Sequence, residues 1–407
     1  MRGLKVVSLT MSVIMVGALL VPASGLAEEG SDTKSFTLEE AIDYALQNND
    51  SLKNMDLQIE IMQNQYDQVE YRLKRQFDVK DLNDIPDSKA YKMGVSTYDA
   101  DRQVLIAPKE LKNGIDTLEN TKKQLEEAIK LSVEQAYYKV LEDEQNLDVL
   151  NTSLELAQKA QSIAKVQFDK GMITEDQLLQ AEIGVSGVNM QIDQAKATLE
   201  KDMLNLKRQL GLPLKSELKL ETVFKVPDIS GIDVEEGVES ALKNRMEILE
   251  AKKDLDIKQQ DFELIKKYYS DITFQYKSGL LNLNTSQEKL KSAEQDVELD
   301  VRSKYLDMKS ASSALPVLQM NVEKAQESLR LAQLRFENGL GTIVDVLNAQ
   351  NTLLQNQLDL VKTQHGLNLA KINYEVATGI GIPSQSQTSS SQVNETASNS
   401  LTASQTQ

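Results

Sequence analysis

The sequence predicts an all-α protein of long antiparallel helical hairpins in two internal repeats, with a few short strands. Three observations predict it. The first is a duplication. Phe168-Asp-Lys-Gly171-Met-Ile-Thr174-Glu-Asp176-Gln177 returns as Phe336-Glu-Asn-Gly339-Leu-Gly341-Thr342-Ile-Val-Asp345, at an offset of 168 between matching phenylalanines, glycines and threonines. The same offset carries Tyr137 onto Tyr305, Leu199 onto Leu367 and Gly211 onto Gly379. A register held without a gap over that span marks an internal repeat. The second is periodicity: Leu150, Leu154, Ala157, Ala164 and Phe168 recur at helical spacing, as do Val322, Ala325, Leu329, Ala332 and Phe336. The third is composition. The chain is 40% hydrophobic and 26% charged, with aromatics at 5% and no Trp, a balance that disfavours a β-rich core.

Residues 1–27 read as a secretory signal peptide: Arg2 and Lys5 make a basic start, Val6 to Leu20 an apolar run short for spanning a bilayer, and Gly25-Leu26-Ala27 a cleavage site. Removing the two basic residues takes the formal charge from −17 to −19, which argues against nucleic-acid binding. With no Cys, neither a disulfide nor a thiol-linked lipid can secure the exported chain.

The first repeat is assigned to 28–213 and the second to 214–383. Each opens on a short helix. Thr37 with Glu40 forms a capping box ahead of Ala41-Ile-Asp-Tyr-Ala45, and the piece recurs as Val234 to Asn244 at an offset of 196. The difference of 28 between the two offsets locates extra residues in the first repeat, around Phe77 to Pro108. That insertion reads as a polar loop with one short strand or helix near Val104 to Ile106. Its counterpart at Lys266 to Asn284 holds one alternating stretch, Ile272-Thr-Phe-Gln-Tyr276, which reads as a brief strand. A helix follows from Leu118 to Phe168; in its second copy Pro316 should kink or break it. The long helices are expected to run 35–50 residues, on the order of 50–75 Å. The returning helices bear two apolar seams, Leu353, Leu360 and Leu367 beside Leu354, Leu358, Val361 and Ile372, so each should touch two neighbours. Leu210-Gly211 ends the first repeat, and Leu218 to Phe224 alternates enough for a short strand. Residues 384–407, rich in Ser, Gln and Thr, read as a disordered tail.

The sequence offers little chemistry. The one histidine, His365, lies on a helix seam, where packing explains it. Without Cys or a second His a transition-metal site is not expected, and no phosphate loop, dinucleotide fingerprint or nucleophile elbow occurs. Glu39/Glu40 and Glu235/Glu236 sit in first helical turns, where they complement the helix dipole. No enzyme, cofactor or metal is expected. The distinctive features are the twin turns. Gly171, Gly339 and Gly341 supply left-handed backbone, Thr174 and Thr342 supply N-caps, and Asp176 and Asp345 follow in the first helical turn.

From Phe336 to Ala349, through Gly341-Thr342-Ile-Val-Asp345-Val-Leu347, and on to Asn373-Tyr374 and Thr378-Gly379, the chain resembles the TolC family of outer-membrane efflux proteins. The duplicated order extends the resemblance over residues 36–383. It implies a homotrimer whose two repeats per subunit build a helical tube, an α-barrel, whose tip meets a periplasmic adaptor (membrane fusion) protein and an inner-membrane exporter. It further implies gating acids beyond the second turn. Asp345 aligns with one, Asn348 stands where the second would be, Gly341 replaces a basic residue, and Gln177 replaces an acid beside Asp176. The family also carries two β-hairpins per subunit that close a membrane barrel. The insertions at 77–108 and 266–284 are too short and polar for four spanning strands, which implies a reduced or absent barrel.

The function expected is therefore an efflux or secretion conduit in the cell envelope: outer membrane and periplasm where the organism has them, otherwise the cell surface. The alternative is a non-transporting coiled-coil envelope scaffold. An adaptor is a weaker candidate, because the β-rich domains that flank an adaptor's hairpin have no counterpart here.

Overall fold

A computed structural model describes residues 34–82 and 97–382. The signal peptide, the tail and most of the first insertion's loop lie outside these residues. In chain order the elements are β1 (Lys34–Phe36), α1 (Leu38–Asn48), α2 (Asp50–Phe77), α3 (Tyr98–Leu105), α4 (Ala107–Asp169), α5 (Glu175–Gln209), β2 (Leu218–Leu220), α6 (Val234–Asn244), α7 (Met246–Tyr268), α8 (Phe274–Glu337) and α9 (Ile343–Thr378). The chain is all-α with few strands, as its periodicity requires.

Each long helix serves two hairpins. One part of α4 pairs with α2 and another with α5, while α8 pairs in the same way with α7 and α9. Both exceed the expected 35–50 residues, at 63 and 64, or about 95 Å each. The excess arises because α4 begins at Ala107, ahead of the expected Leu118, and α8 runs through the segment read as a strand. Pro316 does not break α8; the helix runs on past it to Glu337.

The short helices wedge against the middle of the long ones. Ala41 and Ala45 of α1 pack on Val133, Tyr137, Val140, Leu206 and Leu210. In α6, Val238 and Ala241 pack with Ile248 on Val301, Met308, Leu367 and Tyr374. The small side chains let the helices approach closely. Gly237 faces the Tyr374 hydroxyl so tightly that a Cβ there would lie 2.1 Å from it.

The strands are shorter than expected. β2 keeps three residues and pairs in parallel with β1, a strand that no sequence feature signalled. The Tyr137 hydroxyl donates to the Phe36 carbonyl (2.9 Å) and accepts from the Thr222 amide (3.2 Å), fastening the pair to α4. Ile272 to Tyr276 is not a strand. Thr273 caps α8 by accepting from the Tyr276 amide, and the α7–α8 reversal is the five residues 269–273. The apolar run Val104–Ile106 closes helix α3 and turns into α4.

The lateral order of the long helices decides the architecture. α4 contacts α5 and α9, α5 also touches α9, and α9 in turn contacts α8, whereas α5 and α8 are not packed on each other. The sequence α5–α4–α9–α8 is an open arc in which α5 and α8 are the edges. The two seams on α9 face different neighbours: Leu353 packs beside Leu329, Phe336 and Ile343, and Leu354 beside Leu150, Ala157, Val188 and Ile192.

Candidate functional site

The two turns lie at the same end of the arc and share one construction. In α4 the Met172 amide donates to the Gln167 carbonyl (2.8 Å) and the Gly171 amide to Phe168 (2.8 Å). In α8 the Leu340 amide donates to Arg335 (2.7 Å) and the Gly339 amide to Phe336 (3.0 Å). Both are Schellman closures, which satisfy the last carbonyls of a helix and place one residue in left-handed backbone. Gly171 and Gly339 take that place with φ 70° each. Gly341 does not, contrary to the expectation from sequence. Its smallness serves a close approach instead, since a Cβ there would meet Arg335 Cβ at 3.1 Å.

Two residues beyond each left-handed glycine and its successor comes the N-cap. Thr174 Oγ1 accepts from the Gln177 amide, and the Gln177 side chain accepts from the Thr174 amide at 3.2 Å. Thr342 and Asp345 form the same capping box, closed by a carboxylate: the Thr342 amide donates to Asp345 at 2.9 Å and its hydroxyl at 2.8 Å. Those two bonds, the amide's first, hold the Asp345 carboxyl below the usual carboxylate range. Asp176 is not in its hairpin's box; it accepts from Gln180 at 3.0 Å.

Asp345 and Asn348 lie one turn apart on exposed backbone of α9, and Asp176 is exposed on α5. Among the described residues no hydrogen bond or ion pair joins Asp176 or Gln177 to Asp345 or Asn348. Each set belongs to its own hairpin. What joins the turns lies behind them. Gln167 Nε2 donates to the Phe336 carbonyl at 2.8 Å, and Phe336, Ile343 and Val346 pack with Ala160, Ala164 and Ala181.

Two residues at this end escaped the sequence reading. Met172 and Leu340 follow the left-handed glycines, where a Schellman turn usually tucks an apolar side chain back on its helix. Here both stand exposed. An apolar residue inside an otherwise polar turn was the available signal. Together the turns present a rigid, capped end with two apolar points and exposed carboxylates. Nothing in this arrangement provides a nucleophile with a base.

Residues 273–379, which are α8, its N-cap and α9 with its C-cap, match the family described as outer membrane efflux protein. No curated protein matches the sequence. Among solved structures the chain is similar to the outer membrane protein VceC from Vibrio cholerae, with TM-score 0.64 and 16% identity over 85% of this chain and 97% of that one. It is similar to the CmeC outer membrane channel of Campylobacter jejuni, with TM-score 0.61 and 14% identity over 93% and 97%. The open-state MtrE outer membrane channel of Neisseria gonorrhoeae gives 0.55 and 16% over 84% and 89%. Residues 273–379 therefore match the outer membrane efflux protein family, and the chain as a whole shares the fold of TolC-type outer membrane channels.

Proposed function

We propose that the protein is the trimeric conduit of an efflux or secretion system, a helical tube through which solute passes without covalent chemistry. The observation that carries this reading is the open arc. A four-helix bundle would close α5 on α8, whereas here both edge helices leave apolar stripes bare. On α5, Ile183, Met190 and Leu204 are exposed at multiples of seven residues; on α8, Leu299, Leu306, Met320 and Leu334 are exposed on the same period. A seven-residue apolar stripe is the seam of a left-handed helix pair. α5 of one copy against α8 of the next extends the arc, and three arcs close a ring.

In this reading Met172, Leu340 and the turns around Gly171, Thr174, Gly339, Gly341 and Thr342 form the surface that meets an adaptor, which links the tube to an inner-membrane exporter. Asp345 and Asn348, with Asp176 and Gln177, ring the narrow end, where three Asp345 carboxylates attract cations. The protein acts in the cell envelope, at the outer membrane. The tube carries a reduced or absent barrel. The described residues 269–273 of the α7–α8 reversal hold no strand, which supports this part of the reading.

The experiment is light scattering of the mature chain with and without detergent, beside Met190→Glu and Leu306→Glu variants. A wild-type trimer without detergent and monomeric variants are expected. A wild-type trimer only in detergent would sink the reduced barrel. A wild-type monomer in both conditions would sink the conduit and favour the scaffold.

A further inference from the structure

Where α9 ends and α7 begins, the structure holds a cavity of about 810 Å³, bounded by α4, α7, α8, α9 and Ile382. That volume is in the range of small-molecule sites. Leu131, Ala251, Ala293, Val297 and Val376 give it an apolar wall. The short helix α6 packs on α8 and α9 through Val301, Met308, Leu367 and Tyr374. None of these lines the cavity, so α6 does not cover it.

The charge of the lining is not balanced. Arg245 is 6% exposed and fully engaged. It donates to both oxygens of Glu247 (3.2 and 2.8 Å), to Asp300 (2.9 Å) and to the Ala377 carbonyl (3.1 Å). Asp254 accepts from Ser286. These links from Arg245 to Asp300 and from Ser286 to Asp254 set α7 against α8. Glu250, between them on α7, comes opposite the stretch Ser292 to Asp296. Glu250 and Asp296 both line the cavity, and neither forms an ion pair among the described residues. Burial, and then the charge of Glu247, holds the Glu250 carboxyl above the usual range, which the Asn120 hydrogen bond and Lys253 offset only in part. The other cations of the lining do not reach the two acids: Lys289 is exposed, and Lys304 lies a turn beyond Asp300. An apolar wall beside two carboxylates without a countercharge suits a positive group on an apolar body, and an anion would meet like charge there.

We propose that this cavity binds an amphipathic organic cation, its ammonium held between Glu250 and Asp296 and its apolar body against Leu131, Ala293 and Val376. Every wall comes from one copy of the chain. The site therefore goes beyond the conduit reading and does not depend on three copies closing a ring.

The test is fluorescence titration of the full chain with dansylcadaverine, an apolar ring system carrying a terminal ammonium, beside the uncharged dansylamide. The cation should bind with a blue-shifted emission, about tenfold or more tighter than the neutral probe. Glu250→Gln/Asp296→Asn should weaken the cation about tenfold or more and leave the neutral probe unchanged. The first substitution is isosteric and the second lies at an exposed position, so the circular dichroism of the variant should match the parent. Glu155→Gln/Asp193→Asn removes the same charge at two exposed positions outside the cavity and should leave binding as it was. Absence of binding, equal affinity for the two probes, or undiminished binding by Glu250→Gln/Asp296→Asn would overturn the proposal. An equal loss in Glu155→Gln/Asp193→Asn would also overturn it, by assigning the attraction to the −17 charge of the whole chain.

Discussion

The α4–α5 and α8–α9 hairpins are built on the same turn and differ along their stems. At the turns the correspondence extends to φ angles, closure bonds and capping boxes. Along the stems, Phe336 is 2% exposed whereas its counterpart Phe168 is 37% exposed. Asp143 and Asp202 in the first hairpin correspond to Ala311 and Ala370 in the second. The turn is a local solution, set by a few residues and indifferent to its surroundings. The stem answers to neighbours, and the two stems have different ones: α4 and α9 lie inside the arc, α5 and α8 at its edges.

The largest test of this contrast is Phe336→Ala against Phe168→Ala. Removing the buried ring should cost about 3–5 kcal/mol and removing the half-exposed one about 1 kcal/mol, read by chemical denaturation. Equal losses would mean that the exposed face of Phe168 is covered in the assembly and that the stems differ less than one chain suggests.

Next in size is the carboxyl pair. Burial, assisted by the hydrogen bond with Asp202, pushes the Asp143 carboxyl up to about 6, against the pull of Lys139. One Asp143 oxygen lacks a donor, which a proton shared with Asp202 would supply. Lys139 and Glu142 face the pair from α4, and Asp202 faces it from α5. Because the folded value is raised, the stability is present below about 4 and lost as pH climbs through 6. Asp143→Asn should therefore stabilise the protein at neutral pH by about 1–3 kcal/mol and flatten that limb. Ala311→Asp should leave α8–α9 weaker. His365 acts in the opposite sense. Burial against Phe224, with Lys139 nearby, lowers it to about 4, so its contribution is present above 6.5 and lost as pH falls towards 4.

The smallest effects probe the likeness of the turns. Thr174→Ala and Thr342→Ala should each cost about 1 kcal/mol. Only the second cap contains a titrating group. The lowered Asp345 value means stability that is lost as pH falls below the ordinary carboxylate range, so Asp345→Asn should flatten the acid limb of thermal unfolding and Gln177→Asn should not.

The parts legible in the sequence were those with local causes: the capping box at Thr37, the N-caps at Thr174 and Thr342, helix stops at Gly171, Gly211 and Gly339, and the paired seams of α9. Misreadings arose where a local pattern had two meanings. Ile272, Phe274 and Tyr276 alternate as a strand would, yet Thr273 between them caps a helix, and a cap outweighs three alternating residues. Gly341 resembles a left-handed glycine by type, but steric closeness to Arg335 is what excludes a side chain there. The β1–β2 pair was out of reach, because three residues carry no periodicity and the partners lie some 184 positions apart. Met172 and Leu340 were overlooked because a tip exposes what a core would hide.

That distant pairing has a consequence for how the chain matures. Chains fold as they emerge, N-terminus first. Lys34–Phe36 appears early but has no partner until Leu218–Leu220 follows, after the whole α4–α5 hairpin has passed. Tyr137 reaches both Phe36 and Thr222, so its ring can settle only when the second strand arrives. The small parallel pair thus acts as a checkpoint in time, a latch that closes once the first half of the molecule is complete and before α6 to α9 begin to dock.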